Sequence, residues 1–531
     1  MSIPATIQTL FLSDALYVRE FGHGRYMGPY AVASQLRNAG FTSLVIDYFQ
    51  AKRDFLDYFE TFLSPDTLIV GLSSTFLNPH RKSQNSRNAY DSMDVYYEGE
   101  LHCEDGAALS TWLKDLKARV NRLAPKAKLV LGGAKALRAF TNAKIYEEFD
   151  YICLGAGDNS MVELAKRLQA GEAPESRVYE GLNVLSGIQL KTDVAQCPDA
   201  RFDFRDGIQW QESLPIEVSR GCTFNCKFCH YEKKTSLRKP IDVLRAELIR
   251  NYEKFGTTVY HFTDDCFNDH PAKVEALCGL FLSLPFQIEW VSYARTDVAI
   301  KFPHTIDLMV RSGARALFWG IESLDEVTAR KAGKGTPTEA VKKFLLDFVQ
   351  RYGDRCLTAA SFIIGLPGES KASIQRTLDF ICQNKAMDVL AVSPLLIASY
   401  SERLDMKVID YSDYSRNPAK YGFTKISFRP DYWEHSEMNS LEAHELSNRF
   451  YKEWKSAHKF YGLTSIWYYP HLRTLGYSHE EISKLVRAQS LPTDFDQVSG
   501  ERFQRFLDTY FDNLAREARG QSAAKANPQA V

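Results

Sequence analysis

Twice along this chain short apolar runs alternate with amphipathic stretches at helical spacing, and that alternation restricts the fold to parallel sheets covered by helices. Neighbouring parallel strands need a long crossover, which each intervening stretch can supply as a helix. In the first series the apolar runs are TLFLSD (9–14), SLVIDYF (43–49), TLIVGLSS (67–74), KLVLGG (128–133) and YICLGAG (151–157). The segment GPYAVASQLRNAGF separates the first two; its Pro29 suits the first helical position and its Gly40 a left-handed C-terminal cap. Leu109, Trp112, Leu113, Leu116, Val120 and Leu123 share one helical face, so 108–123 is predicted to lie on the sheet. Residues 1–170 thus read as a doubly wound, Rossmann-like α/β domain.

The second series holds LPIEVS (214–219), TVYHFTDD (258–265), QIEWVSYA (287–294), ALFWGIES (316–323), LTAASFIIG (357–365) and VLAVSPLLI (389–397). Helical stretches at 241–255, 271–283, 303–312, 338–352 and 370–384 separate them. Such strand–helix units predict a partial TIM-like (β/α)6 barrel over 213–400, with its chemistry at the strand C-terminal ends. Between the series, 171–212 reads as a linker with short extended pieces. The polar stretch 76–107 reads as a lid, a binding loop or disorder. Residues 401–520 are aromatic and mostly helical in pattern, with a helix at 440–461, and 521–531 reads as a disordered tail. Trp433, Trp454, Trp467, Tyr468 and Tyr469 in this region either close over the barrel mouth or form helical core.

Bulk properties narrow the function classes. A formal net charge of −1 gives no general attraction to nucleic acid or anionic membrane. No apolar run approaches the roughly 20 residues of a membrane span. The N-terminal sequence lacks a basic region and a cleavage site, so the expectation is a cytoplasmic protein without a leader. Ten cysteines scattered over the whole length read as reduced thiols or metal ligands, not as a disulfide framework.

Three of those cysteines stand in SRGCTFNCKFCHYEK, a C-x3-C-x2-C spacing directly after a predicted strand. A loop that short can wrap Cys222, Cys226 and Cys229 around one side of an iron–sulfur cluster and leave one iron open to a small molecule. A structural zinc site wants four ligands, and His230, adjoining Cys229, would be an awkward fourth. Zinc and unliganded thiols stay open at this point. Cys278, Cys356 and Cys382 read as buried small hydrophobes, whereas Cys266 follows an acidic pair at the predicted mouth.

The C-x3-C-x-aromatic-C loop, with Phe228 at the aromatic position, resembles that of the radical S-adenosylmethionine superfamily. The resemblance runs from about 210 to 400 and includes further motifs in order. FTDD (262–265) ends the second barrel strand, where the family commonly has an acidic motif near the methionine amino group; Asp264 and Asp265 fill it here. GIES (320–323) resembles the segment that places a carboxylate, here Glu322, near the cofactor. SFIIGLPGES (361–370) resembles the adenine-contacting turn, with Gly365 in it, and Arg295 in YARTD is a candidate cofactor or substrate contact. Read without the family, Asp264 and Asp265 are also suited to capping the next segment, Glu322 to an ordinary strand end, and Gly365 with Gly368 to a plain turn. The resemblance implies a 4Fe-4S cluster on Cys222, Cys226 and Cys229, S-adenosylmethionine as co-substrate, a 5′-deoxyadenosyl radical, and an electron donor such as flavodoxin or ferredoxin. No residue is assigned a catalytic acid or base role.

The first domain resembles the cobalamin-binding domain of the superfamily's cobalamin-dependent subgroup, through GPYAVASQLRNAGF, GLSST (71–75), LVLGG (129–133) and FDYICLGAGDNSMVELAKRL (149–168). The resemblance makes Ser73, Ser74, Thr75, Gly132, Gly133, Gly155 and Gly157 candidate contacts to the corrin and its nucleotide tail. The Asp-x-His-x-x-Gly segment that carries a cobalt ligand in some such domains is absent; the nearest histidine, His23, has different flanks. The implied activity is cobalamin-dependent methyl transfer to an unactivated carbon of a small molecule or peptide. Two alternatives stay open. One is a radical enzyme whose first domain is only a scaffold, performing rearrangement, cyclisation or oxidation. The other is a non-catalytic iron–sulfur or zinc module on nucleic acid, which the near-zero net charge and the ordered barrel motifs oppose.

Overall fold

The computed structural model describes residues 6–13, 17–18, 21–22, 24–73, 107–133, 136, 146–174, 176–179, 181–186, 199–229, 237–397, 412–428, 431–460, 462–463 and 465–518. Ser74, Thr75, His23, His230, the stretch 76–106 and the tail 521–531 lie outside them.

The first sheet contains β1 (Thr9–Leu12), β2 (Ser43–Ile46), β3 (Ile69–Ser73), β4 (Lys128–Gly132), β5 (Tyr151–Leu154), β6 (Arg177–Tyr179) and β7 (Leu182–Ser186). Its order is β2-β1-β3-β4-β5-β7-β6, parallel except for β6 against β7. Side chains alternate between the faces, as the pleat demands. Phe11, Val45, Ile69 and Val130 pack with α1 (Met27–Asn38) and α4 (Asp158–Gln169). Leu10, Leu12, Ile46 and Val70 pack on the other face with α2 (Phe55–Glu60) and α3 (Ala107–Leu123). Gly40 closes α1 as expected, with Phe41 N donating to Leu36 O at 2.9 Å. Pro29 sits two residues inside α1 rather than at its first position, because the helix begins at Met27. The segment read as a linker supplies β6 and β7, which extend this sheet beyond β5.

The second sheet runs in sequence order through β8 (Leu214–Ile216), β9 (Val259–Phe262), β10 (Glu289–Arg295), β11 (Ala314–Glu322), β12 (Leu357–Ile364) and β13 (Val389–Pro394), all parallel. The connections hold α5 (Ile241–Phe255), α6 (Pro271–Leu282), α7 (Thr296–Lys301), α8 (His304–Arg311), α9 (Glu326–Lys331), α10 (Thr338–Tyr352) and α11 (Lys371–Gln383). This is the partial barrel the alternation predicts.

The C-terminal region is more than helices. A three-stranded antiparallel sheet, β14 (Phe423–Phe428), β15 (Asp431–His435) and β16 (Met438–Asn439), precedes α12 (Ser440–His458), α13 (Tyr468–Thr474), α14 (His479–Val486) and α15 (Phe495–Ala518). Its aromatics divide between the two ends of the barrel. Trp433 donates from Nε1 to Leu395 O at 2.8 Å, past the end of β13. Trp467 enters from the opposite end, its ring 4.9 Å from His261 and 4.6 Å from Tyr293. Arg473 and Tyr469 hold Glu289 at the start of β10, at 2.7 and 3.0 Å, so α13 closes the strand N-terminal ends. Trp454 is buried on α12.

Arg25 joins the parts of the chain. Its buried guanidinium donates to Glu212 at 2.5 Å, Tyr30 at 2.7 Å and the carbonyls of Asp206 and Gly207 at 2.7 and 3.1 Å. The Tyr510 ring of α15 lies 5.0 Å away. A buried charge survives only where partners replace its lost water, and here they come from both ends of the sequence.

Candidate functional site

The cysteine loop follows β8 at the C-terminal end of the barrel strands and is flanked by a short antiparallel ribbon, Ser219–Arg220 against Leu237–Arg238. Cys226 is buried, and Cys222 and Cys229 are half-buried. The loop is clamped at both ends. Asp264 accepts from Val218 N at 3.1 Å and from the Ser219 hydroxyl, and Asp265 accepts from Gly221 N at 3.0 Å. Both carboxylates of the FTDD motif thus engage the start of the loop. Burial raises the Asp264 carboxyl to about 6. Further along, Lys227 N donates to Ala332 O at 3.0 Å, and Tyr414 N donates to Lys227 O at 3.1 Å. Tyr414 is fully buried, and among the described residues its hydroxyl has no hydrogen-bond partner.

A chain of charged groups runs from this loop along the strand ends. Arg295, the last residue of β10, donates from Nη1 to Cys226 Sγ at 2.9 Å, and its guanidinium lies 3.8 Å over the Phe224 ring. Asp297 holds the same guanidinium at 2.6 Å; burial pushes its carboxyl up, but the hydrogen bond and charge of Arg295, the charge of Lys334 and the Val298 N–H together hold it below the usual carboxylate range. Glu322, at the end of β11, pairs with Lys334 Nζ at 3.2 Å and accepts from Ser361 Oγ at 2.9 Å. Its backbone stands at φ 70°, a left-handed conformation uncommon outside glycine. Strain of this kind is retained where it aims a side chain, and here it directs Glu322 toward Lys334.

Sequence reasoning missed Phe224, Asp297, Lys334 and Ser361. Only Lys334, between two glycines in AGKGT, offered any local signal. Cys266 is buried against the loop, hydrogen-bonded to Cys222, and that contact brings the Cys222 thiol down to about 7. Cys278 and Cys356 are fully buried, and burial raises the Cys278 thiol to about 12. Phe228 is partly buried against the barrel core.

Gly365 faces away from open space. A Cβ there would stand 2.3 Å from Trp433, its N–H donates to Glu369 at 2.9 Å, and its carbonyl accepts from His435 at 3.1 Å.

In the first sheet Ser73 ends β3, Gly132 ends β4 with Gly133 following it, and Gly155 and Gly157 follow β5. Gly133, Gly155 and Ala156 are exposed, so this rim lets a ligand approach the backbone closely. It lies on the strand C-terminal side, where open α/β sheets bind ligands. Arg220, two residues before Cys222, pairs with Asp158, the first residue of α4, and so ties this rim to the cysteine loop.

Residues 216–381 match the radical SAM superfamily. That match runs from the end of β8 into α11, most of the barrel. Among curated relatives, an uncharacterized methyltransferase of Synechocystis sp. is 27% identical over 241 residues, which cover 44% of this chain and 42% of the relative. The bacteriochlorophyllide d C-12(1)-methyltransferase of Chlorobaculum tepidum is 25% identical over 187 residues, 33% of this chain and 39% of that protein. The chain thus spans under half the length of each. Among solved structures, the radical S-adenosylmethionine methyltransferase TsrM from Kitasatospora setae, with tryptophan substrate and a SAM analog bound, superposes with a TM-score of 0.57 at 14% identity. That match covers 97% of this chain and 100% of TsrM. The cobalamin-dependent radical enzyme OxsB, with aqua-cobalamin bound, gives 0.56 at 14% identity over 98% of this chain and 82% of OxsB. The match to the radical SAM superfamily spans the barrel, and the fold of nearly the whole chain is shared with TsrM and OxsB. No helix among the described residues is long and apolar enough to cross a membrane.

Proposed function

We propose that the chain is a cobalamin-dependent radical S-adenosylmethionine methyltransferase acting on an unactivated carbon of a small molecule or peptide. In this reading Cys222, Cys226 and Cys229 hold a 4Fe-4S cluster, and Ser73, Ser74, Thr75, Gly132, Gly133, Gly155 and Gly157 are the contacts to cobalamin. When bound, the cluster supplies the electron that cleaves S-adenosylmethionine to a 5′-deoxyadenosyl radical, and cobalamin carries the methyl group. A cytoplasmic setting with a flavodoxin or ferredoxin as electron donor belongs to the same reading, as does the division of the chain at about 170, 212 and 400.

The observation that carries the proposal is the cysteine loop itself, clamped at the barrel's C-terminal end beside the charged chain from Arg295 to Glu322. Three thiols on one short loop are the donor set that an iron–sulfur cluster takes. Among the described residues no three His, Cys, Asp or Glu side chains are placed to hold a single metal ion. Zinc would draw its thiolates to about 2.3 Å from one point. The buried, unpartnered Tyr414 hydroxyl behind the loop suits an acceptor brought by a bound group. On the first sheet, the exposed glycine and alanine rim fits a large ligand pressed against backbone.

The chain's own residues then have positioning tasks. Asp264 and Asp265 fix where the loop begins, and Ala332 and Tyr414 fix its far side. Glu322, aimed by its left-handed backbone and neutralised by Lys334, offers a carboxylate at the strand ends.

Anaerobic reconstitution with iron, sulfide and hydroxocobalamin, followed by desalting and absorption spectroscopy, tests the proposal. Retention of both the broad iron–sulfur absorption and a corrin spectrum is expected, with the iron–sulfur absorption lost when all three cysteines become Ala. An iron–sulfur spectrum without corrin would reduce the first sheet to a scaffold and remove cobalamin-dependent methyl transfer.

A further inference from the structure

We infer that Arg295 and Asp297 form a charge-balanced pair that sets the reduction potential of the group held at Cys226. The inference rests on the cluster reading above and goes beyond it, since it assigns Arg295 to a ligand's sulfur rather than to S-adenosylmethionine or substrate.

The geometry is specific. Arg295 is 6% exposed, with Nη1 2.9 Å from Cys226 Sγ. The opposite edge of the guanidinium is held by Asp297, with Nε at 2.9 Å from Oδ1 and Nη2 at 2.6 Å from Oδ2. Its flat face lies 3.8 Å over Phe224, a residue of the loop between Cys222 and Cys226. Three contacts in three directions leave the guanidinium little freedom, and its position follows the loop. The backbone contributes as well: Arg295 N donates to Asn268 Oδ1 at 2.7 Å, and Asn268 donates back to Arg295 O at 2.9 Å.

The potential of an iron–sulfur cluster depends on net charge, on hydrogen bonds to its sulfurs and on exposure. A guanidinium is permanently cationic. A hydrogen bond from it to a ligand sulfur stabilises the more negative, reduced state more than the oxidised one. Arg295 therefore raises the potential, and Asp297 offsets part of that rise. The two side chains must act with opposite signs, which a merely structural role would not produce.

The experiment uses full-length protein, reconstituted anaerobically and titrated with dithionite in the absence of S-adenosylmethionine, with the reduced cluster read by electron paramagnetic resonance. R295M is expected to shift the midpoint to more negative potential, R295K to lie between R295M and wild type, and D297N to shift it to more positive potential. If R295M takes up no cluster, D297N decides, and a rise supports the pair while an unchanged or lowered midpoint overturns it. Equal midpoints for wild type, R295M and D297N overturn the inference alone. A cluster that survives replacement of Cys222, Cys226 and Cys229 by Ala overturns the reading beneath it.

Discussion

Arg220 forks onto Asp158, its Nη1 and Nη2 at 3.0 and 2.9 Å from the two carboxylate oxygens, while its Nε reaches Glu217 at 2.6 Å. The pair is largely buried and joins the start of α4 to the residue before Gly221. Removing Arg220 strands the Asp158 charge away from water, at a cost of about 3–5 kcal/mol for a buried pair, whereas removing the Asp158 charge leaves Arg220 its Glu217 contact and costs less. R220M and D158N should each lower the urea midpoint, and the double variant should cost clearly less than the sum of the two. Strict additivity in that cycle would show that the two residues do not act as a unit.

Gly333 tests how tightly the cysteine loop is wound. Its φ is +87°, and a Cβ there would meet Asn225 O at 3.1 Å and Cys226 Cα at 3.2 Å. Both contacts are to backbone, which cannot swing aside as a flexible side chain can. G333A should therefore displace the loop and, with its left-handed backbone, cost roughly 1–3 kcal/mol. Iron and sulfide content after reconstitution should fall well below wild type while circular dichroism stays native. Full loading at wild-type stoichiometry would mean that the loop tolerates the shift.

The strands were readable because each is a continuous apolar run bounded by Gly, Pro or polar residues, as in LTAASFIIG, which forms β12 to within a residue. Helices such as 241–255 and 338–352 carried their own period. The sheet at 423–439 escaped notice because its strands, FTKISF and DYWEH, mix charges with aromatics and show no clean alternation. In the site, the cysteines were legible because their spacing is local. Arg295 was legible only as a candidate, since its contact with Cys226 spans 69 residues and no periodicity records it. Asp264 and Asp265 were visible as a motif, but not that they engage loop backbone and a hydroxyl. Likewise, nothing in GLPGES shows that the ring filling the space beside Gly365 belongs to Trp433.

Glu369, in the same turn, carries a pH dependence whose sign can be worked out. Its carboxyl is fully enclosed, accepts from Gly365 N at 2.9 Å and meets Ser323 Oγ at 3.2 Å, and burial raises it from 4.5 to about 8. The folded protein thus holds a proton that the unfolded chain releases. The resulting stability is complete at acid pH, declines as pH rises above the unfolded value of 4.5, and is gone once the pH passes about 8. Glu369→Gln keeps the shape and a neutral group but cannot titrate. Urea midpoints of wild type and E369Q should therefore diverge from about pH 5 to about pH 9, with wild type losing stability relative to the variant across the window. Parallel curves would mean that Glu369 is already ionised in the fold, with the Gly365 N–H and the Ser323 hydroxyl sufficient to hold its charge.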